Sequence, residues 1–410
     1  MNSDEQTMAG EFVVKKLKKV IAVCAAVFFI LVSVHYKLIR PQPVVIPTKD
    51  HLHDVSYTRM FNHNKPLSRR PNKTEAGDKA LITKIQDFQS KRHKGKPKQV
   101  HLTPQTDVNI TDIKRIFSTT WRENKTNFMS IRSEIDSLVN THECFTVTQE
   151  NTKPGENLTM AHQDKVSRTV FHDIHARLPK ESPFKGVTFP RCVVMGSSGL
   201  LANSHCGSEI DNADYVFRCN MPPIKDFKDD AGARSNLTTM NVMSIVADRY
   251  HLLFNSLEED KFLRDLEEYS GHFWLPVFGM GSTYSFGLRV LRFLDTKLNG
   301  TNLEVLVGHP EHFRNIKQFW EAKGIVHRPS TGLYLTTTAI ALCEKVDLYG
   351  FWPLPIDIHG NQVKYHYYED KPSPTIMHDF HLEFLHLAHL HERGVIQIHA
   401  GKCKDDLKRH

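Results

Sequence analysis

The feature that most constrains the fold is an alternation of short apolar segments with longer helix-like segments after residue 171. Strands are predicted at residues 192–195, 215–218, 237–240, 273–278, 303–307, 346–349 and 395–398. Helices are predicted among them at residues 248–269, 310–322, 331–343 and 381–393. Because strands that alternate with helices are typical of parallel sheets, this order predicts an α/β fold with helices on both faces of the sheet.

An uncharged apolar run at residues 20–36 follows Lys15, Lys16, Lys18 and Lys19. Its length is at the short end of what spans a bilayer, and the lysines would keep the preceding residues in the cytoplasm. A cleaved signal peptide also begins with a basic region, but no small-residue cleavage pattern follows this run. We therefore predict a cytoplasmic tail at 1–19, a transmembrane signal anchor at 20–36 and a luminal remainder.

Residues 37–165 combine many prolines with Lys, Asn, Thr and Ser. Such a segment buries too little apolar surface to offset its ordering entropy, so we interpret it as a partly disordered stem. Residues 110–139 show some helical periodicity and could form an ordered edge. A single folded luminal domain is predicted at 166–410.

The formal net charge of +7 raises the question of nucleic-acid binding. Much of the basic excess lies before residue 120, as in residues 91–98, and no aromatic residues interrupt that run. A solvated basic linker is the better interpretation, and no nucleic-acid partner is predicted.

Glycosylation sequons and cysteines agree with a luminal location. Six Asn-x-Ser/Thr sequons follow the apolar run, at Asn72, Asn109, Asn124, Asn157, Asn236 and Asn299. Of the seven cysteines, Cys24 lies in the apolar run and six lie beyond it. Disulfides are the default fate of those six, although spacing alone does not choose their pairing.

The turn at residues 196–199 reads Gly-Ser-Ser-Gly and joins an apolar strand to a predicted helix. Such a turn directs backbone amides at a helix N-terminus, an arrangement that attracts phosphate. The spacing differs from Gly-x-Gly-x-x-Gly, so a dinucleotide site is not indicated. Taken alone, the glycine pair is more typical of close packing.

Four segments resemble, in order, the large, small, third and very small sialyl motifs of the sialyltransferases, at residues 191–220, 329–352, 365–368 and 378–383. His-Tyr-Tyr at 366–368 and the cysteine positions are similar to the α2,8-linking branch. The resemblance implies a GT-A-like variant Rossmann fold with one catalytic domain, no metal or other cofactor, and CMP-sialic acid as donor. It also implies a sialylated glycoprotein or ganglioside acceptor and an enzyme in the Golgi membrane. The chain could also form a homodimer.

The resemblance assigns roles residue by residue. His378 becomes the catalytic base and Glu383 a supporting residue, and the disulfides become Cys192 to Cys343 and Cys206 to Cys403, which leaves Cys144 and Cys219 without an assigned partner. Donor contacts fall to Ser197, Asn220, Ser330, Thr331, Gly332, Trp352, Tyr365 and His366. Relatives commonly carry Asn where this chain has Ser197, which keeps a hydroxyl but lacks the amide donor.

Each assignment has a simpler alternative. A neutral imidazole with a pKa near 6.5 suits a base, yet histidines are common here and His366 could be a core or rim residue. Ser330 could only cap a helix, Trp352 could belong to the core, and Glu383 could cap a helix or lie at the surface. The histidines at 378, 381, 386, 389 and 391 suggest zinc, but they match no zincin pattern and no metal site is predicted.

We therefore expect an inverting α2,8-sialyltransferase. The 12-residue spacing from His366 to His378 is similar to that of relatives that add one or a few sialic acids rather than long polymers. The alternative is a noncatalytic luminal relative that binds glycans or acts as a scaffold, which only Ser197 favours. A secreted adhesion glycoprotein is opposed by the α/β pattern.

Overall fold

The computed structural model describes residues 106–241, 247–250, 256–298, 302–370 and 377–403. The predicted tail and anchor, most of the predicted stem, Cys24, Asn72 and Asn299 lie outside the described residues. In the part of the chain that is described, no helix combines the length and apolar character that a membrane span requires.

The described helices and strands alternate along the chain as the sequence predicts. The helices are α1 (Ile110–Ser118), α2 (Lys125–Asp136), α3 (Thr141–Cys144), α4 (His172–His175), α5 (Gly207–Asp211), α6 (Lys228–Ala231), α7 (Ala247–Tyr250), α8 (Ser256–Leu266), α9 (Tyr284–Lys297), α10 (Pro310–Glu321), α11 (Thr331–Leu342) and α12 (Phe380–Glu392). The strands are β1 (Asn157–Met160), β2 (Gln163–Thr169), β3 (Phe189–Met195), β4 (Tyr215–Arg218), β5 (Leu237–Thr239), β6 (Gly271–Leu275), β7 (Leu303–Val307), β8 (Cys343–Tyr349) and β9 (Gln397–His399).

Strands β3 to β9 form a parallel sheet in the order β7-β6-β5-β4-β3-β8-β9. The order of addition reverses at β3, which pairs with β4 on one side and with β8 on the other. Strands β1 and β2 form a separate antiparallel hairpin. The predicted α/β sheet and each of its seven predicted strands are confirmed.

Both faces of the sheet are covered, as the alternating side chains of β3 show. Cys192 and Val194 belong to a buried cluster with Leu335 of α11. Their neighbours Val193 and Met195 belong to another cluster with Ile210 of α5. Burial on both faces explains why β3 reads as a continuous apolar run in the sequence.

Helix α11 lies in the core, since every residue from Leu333 to Leu342 is buried. Its three consecutive threonines, Thr336, Thr337 and Thr338, donate their hydroxyls to backbone carbonyls four residues earlier. The helix therefore satisfies its own buried polar groups. It packs against β3 and β8, and this fixes its N-terminus beside the ends of those strands.

Several elements differ from the sequence prediction. Helix α9 and the β1–β2 hairpin were not predicted, and the helix expected at 248–269 contains α7 and α8, with residues 251–255 outside the described residues. The stem assignment extended to residue 165, yet α1, α2, α3 and β1 precede that residue. Phe128, Ile131 and Ile135 of α2 belong to the main core cluster, so the described fold begins well before residue 166.

Two disulfides occur among the described residues, and they are the pairs that the resemblance implied. Cys192 of β3 is bonded to Cys343 at the start of β8, with Cα atoms 6.0 Å apart. Cys206 is bonded to Cys403, with Cα atoms 4.9 Å apart. Cys144 and Cys219 are free thiols, and burial raises the pKa of Cys219 to about 12.

Candidate active site

The carboxyl ends of β3, β4 and β8 lie side by side where the strand order reverses. In open parallel sheets this is the position at which ligands bind. Ser197 follows β3, Asn220 follows β4, and Trp352 follows β8. The fold thus gathers at one edge residues that are far apart in the sequence.

The Gly-Ser-Ser-Gly turn packs closely against the backbone of neighbouring segments. The backbone amides of Gly196, Ser198 and Gly199 donate to the carbonyls of Tyr349, Gly350 and Lys364, respectively. A Cβ atom at Gly196 would lie 2.2 Å from the carbonyl oxygen of Gly350. Our prediction that this turn directs its amides at a phosphate is therefore wrong for these three groups, because protein carbonyls already accept their hydrogen bonds.

Ser197 itself is partly exposed, and its carbonyl accepts a hydrogen bond of 3.0 Å from the amide of Tyr367. This bond joins the turn after β3 to the segment at 365–368. Asn220 has a left-handed backbone, with φ of 63°, a conformation that asparagine tolerates better than most residues. Its backbone amide donates to Thr239 Oγ1 at 3.0 Å, which fixes the residue at the end of β4.

The N-terminus of α11 is held by a buried carboxylate. Ser330 caps the helix, since its Oγ accepts a hydrogen bond of 3.2 Å from the amide of Leu333. Glu383 of α12 is only 3% exposed and accepts hydrogen bonds from both the amide and the hydroxyl of Ser330. The surface alternative for Glu383 is wrong, because the residue anchors the cap from the interior.

Burial is the main cause that raises the pKa of Glu383 to about 7; the hydrogen bonds from Ser330 oppose this shift, and the nearby Asp379 favours it. The carboxyl group therefore changes charge close to neutral pH. The sequence did not reveal this pair, because 53 residues separate its members.

His378 lies just before α12, and its Nδ1 is 2.7 Å from the backbone carbonyl oxygen of Arg328. A carbonyl only accepts, so Nδ1 carries the proton in the neutral ring and the lone pair is on Nε2. Burial is the main cause that lowers the pKa of His378 to about 4; the hydrogen bond to the carbonyl of Arg328 opposes this shift, and the positive charge of Arg328 favours it. The imidazole is thus neutral at physiological pH and has the tautomer of a base.

His366 lies between aromatic rings in the third motif. Its ring stacks on Tyr368 with centroids 4.9 Å apart and meets Tyr365 edge-on at 4.5 Å. Its Nδ1 is 3.4 Å from a carboxylate oxygen of Glu369. Burial lowers the pKa of His366, and Glu369 opposes that shift.

Trp352 occupies the core position that was the simpler alternative. Its indole N–H donates to the carbonyl of Ile356 at 2.8 Å, and its ring meets Phe117 and Phe384 edge-on. Gly332 lies near the same segment, because a Cβ there would be 2.8 Å from the ring of Phe351. The residues after β8 thus support the start of α11 by packing.

A strap from the N-terminal side, residues 106–118, crosses α12, and its helix α1 lies in the segment 110–139 for which the sequence indicated an ordered edge. The hydroxyl of Thr106 donates to Asp379 at 2.6 Å, and the ring Nδ1 of His381 lies 2.9 Å from the carbonyl oxygen of Thr106. Asp379 also caps α12 by accepting from the amide of Leu382. Since Asp379 is adjacent to His378, the strap fixes the segment that carries the candidate base.

The C-terminal histidines are dispersed. His391 accepts from the amide of Ile398 at 2.9 Å, His386 packs edge-on against Trp320, and His389 is exposed. Over the described ranges, no three His, Cys, Asp or Glu side chains are grouped closely enough to hold a metal ion.

The four described sequons differ in accessibility. Asn109, Asn124 and Asn157 are exposed, and the first two cap α1 and α2. Asn236 is half-buried, and its side-chain oxygen accepts from the amide of Val216 at 2.9 Å. Asn236 is therefore the least suitable of the four for carrying a glycan.

Known proteins are similar to this chain over much of its length. The model of glycosyltransferase family 29 (sialyltransferase) matches residues 142–395. An α-N-acetylneuraminide α2,8-sialyltransferase from Xenopus tropicalis is 36% identical over 294 residues, which cover 71% of this chain and 84% of that protein. The human α2,8-sialyltransferase 8F is 32% identical over 300 residues, covering 72% and 73%, respectively. A mammalian sialyltransferase crystal structure aligns with 73% of this chain and 89% of its own, at 20% identity and a TM-score of 0.38.

Proposed function

The chain belongs to glycosyltransferase family 29, the sialyltransferases, and on that premise we propose a mechanism in which His378 is the base. The enzyme transfers sialic acid from CMP-sialic acid to a sialylated glycan and forms an α2,8 linkage. The observation that carries the mechanism is the hydrogen bond between His378 Nδ1 and the carbonyl of Arg328, because it leaves the lone pair on Nε2.

In the proposed reaction, Nε2 of His378 takes the proton from the 8-hydroxyl of the acceptor sugar. The hydroxyl oxygen forms a bond to the anomeric carbon of the donor as the bond from that carbon to the phosphate oxygen breaks. CMP leaves with the bonding electron pair, and attack from the opposite side inverts the anomeric centre. The low pKa of His378 keeps the base unprotonated before the acceptor binds.

On the donor side, we propose that the start of α11 binds CMP. Ser330 is the N-cap, whose hydroxyl donates to Glu383, and Thr331 and Gly332 lie in the first turn, where amides and the helix dipole favour a negative phosphate. Glu383 supports this arrangement because it holds both polar groups of Ser330. His366, beside Tyr365, donates a hydrogen bond to the departing phosphate.

Ser197 and Asn220 complete the proposed donor site at the ends of β3 and β4. A donor contact by Trp352 is supported only by the motif match, since its indole N–H is already used by Ile356. The acceptor is a glycoprotein or glycolipid, and we propose the addition of one or a few sialic acids.

The test measures CMP release and glycan extension by the purified full-length enzyme with a panel of sialylated glycans. His378→Ala should lower kcat by at least about 100-fold, the usual contribution of a general base. His389→Ala is the matched control, because this exposed histidine lies on the adjacent helix. No donor turnover with any acceptor would refute the activity, and full activity of the His378 variant would refute the base.

Two further comparisons refine the donor site. Ser197→Asn restores the amide that relatives carry, and we expect a lower KM for CMP-sialic acid. Activity should persist after treatment with EDTA; loss on chelation and recovery with a divalent cation would contradict metal-independent transfer.

We also propose a single-pass type II protein in the Golgi membrane, with residues 37–410 in the lumen. The apolar run at 20–36 and the lysines before it support this topology. Protease protection in sealed vesicles should spare the luminal part, and alkaline carbonate should leave the chain in the membrane. Sedimentation in detergent tests the homodimer.

A further inference from the structure

The basic side chains of the stretch at residues 314–328 have no role in the mechanism above. These side chains are Arg314, Lys317, Lys323, His327 and Arg328. A continuous basic track would suit a polyanionic glycan. However, Lys317 is paired with Glu321 at 2.6 Å, and Lys323 is paired with Glu134. Carboxylates thus offset both lysines, so a polyanion would meet little net charge along α10.

Arg328 is placed differently from these lysines. Its carbonyl oxygen is the group 2.7 Å from His378 Nδ1, so the residue lies directly beside the proposed base. Its guanidinium Nη1 is 3.3 Å from the sulfur of Met280, a weak acceptor in the loop after β6. The guanidinium therefore lies against the loop after β6, whereas the proposed donor groups follow β3, β4 and β8.

The same loop contacts the turn of the β1–β2 hairpin. The amide of His162 donates to the carbonyl of Gly279 at 3.1 Å, and the amide of Gly281 donates to Gln163 Oε1 at 2.7 Å. The ring Nδ1 of His162 is buried and has no hydrogen-bond partner among the described residues. A buried polar atom of this kind is costly unless a ligand or water satisfies it.

The loop after β6 thus contacts both His162 and Arg328. Burial lowers the pKa of His162 well below its ordinary value, and the positive charge of Arg328 lowers it further. His162 is therefore a neutral ring beside a permanent cation. A ligand that provides one negative group at this point would give His162 Nδ1 a hydrogen-bond partner and would be attracted by the charge of Arg328.

We propose that Arg328, assisted by His162, binds the carboxylate of the acceptor's terminal sialic acid. This inference rests on the proposed function, because that sugar also supplies the 8-hydroxyl that His378 deprotonates. The carboxylate and the hydroxyl belong to one monosaccharide, so the cation that recognises the first must lie within a sugar's width of the base. Arginine suits this task because its planar guanidinium binds a carboxylate through two parallel hydrogen bonds.

The proposal also explains acceptor choice. Recognition of one carboxylate beside the base requires a terminal sialic acid and rejects an unsialylated galactose. Because Lys317 and Lys323 are paired with carboxylates, a longer anionic chain gains little additional attraction. Acceptors with one and with several sialic acids should consequently have similar KM values.

The experiment compares a sialylated acceptor with the same acceptor whose terminal carboxylate is converted to a neutral amide. Arg328→Gln should lower kcat/KM for the natural acceptor about 10- to 100-fold, the range expected for a charge-assisted pair. The Arg328→Gln variant should use the charged acceptor and the amide acceptor equally well, because the cation and the carboxylate act as one pair. Lys323→Gln removes a cation from the same stretch and is the matched control.

Donor hydrolysis without acceptor separates this proposal from the activity itself. Wild-type enzyme that releases no CMP under any condition would refute the proposed function. Normal CMP release by Arg328→Gln together with equal losses for the charged and the amide acceptors would overturn the carboxylate site alone. Arg328→Lys keeps the charge without the planar pair and should have an intermediate KM; a KM equal to that of Arg328→Gln would also contradict the proposal.

Discussion

Replacing Glu383 with glutamine is expected to stabilise the protein at neutral pH and to change little at acidic pH. Glu383 is buried, and its pKa in the folded chain is about 7, compared with an ordinary value of 4.5. The folded state thus holds this proton more tightly than the unfolded state. Stability contributed by this group is full below pH 4.5 and decreases as pH rises towards 7.

The size of the effect follows from the pKa difference. A change from 4.5 to about 7 corresponds to about 3 kcal/mol of unfolding free energy once both states are ionised. Glutamine has nearly the same shape, still accepts from the amide of Ser330 and does not titrate. Alanine would instead leave that buried amide without an acceptor, at a cost of roughly 1–3 kcal/mol in addition to the cavity.

Urea unfolding between pH 4.5 and 8, followed by tryptophan fluorescence, measures the difference. The glutamine variant should match the wild type near pH 4.5 and exceed it by up to about 3 kcal/mol near pH 8. Glu344→Gln, at an exposed position on β8, is the control and should follow the wild-type profile. Parallel profiles for wild type and Glu383→Gln would show that this carboxyl does not titrate near neutrality and would refute the reasoning.

Other outcomes follow from the same contacts. The low pKa of His378 places the acidic limb of kcat/KM near pH 4, because the neutral base persists until that pH; a limb near 6.5 would contradict this. Thr106→Val should lower kcat on the order of tenfold by loosening the segment next to His378, whereas Thr106→Ser should retain activity. Peptide mass spectrometry should find glycans on Asn109, Asn124 and Asn157 but not on Asn236. Gly199→Ala should lower the melting temperature, because its Cβ would lie 2.4 Å from the carbonyl oxygen of Lys364.

Local patterns predicted the elements whose sequence reflects burial directly. Strand β3 is apolar because both its faces are covered, and α10 begins at a proline, so both were found from the sequence. Helix α9 was missed because Gly287 lowers helix propensity within it. That glycine has a packing reason, since a Cβ there would be 3.1 Å from Cα of Val277.

The order of the motifs predicted the site residues, but it did not predict the contacts that these residues make. A carboxylate five residues after His378 gives no indication that it binds Ser330, because that contact depends on how α11 and α12 pack. The hydrogen bond from Thr106 to Asp379 joins residues 273 positions apart, and Thr106 lies before the segment that the family model matches. Such contacts are products of the tertiary fold and have no local periodicity.

The position of β3 in the sheet sets an order for biosynthesis. Its partner on one side, β4, starts at Tyr215, soon after β3 ends at Met195. Its partner on the other side, β8, starts only at Cys343, which is 151 residues after Cys192 of β3. Until then the nascent chain exposes an unpaired apolar edge at β3, the kind of surface that aggregates or recruits chaperones. A truncation within α11 would therefore do more than remove the C-terminus, because it would leave that edge permanently open.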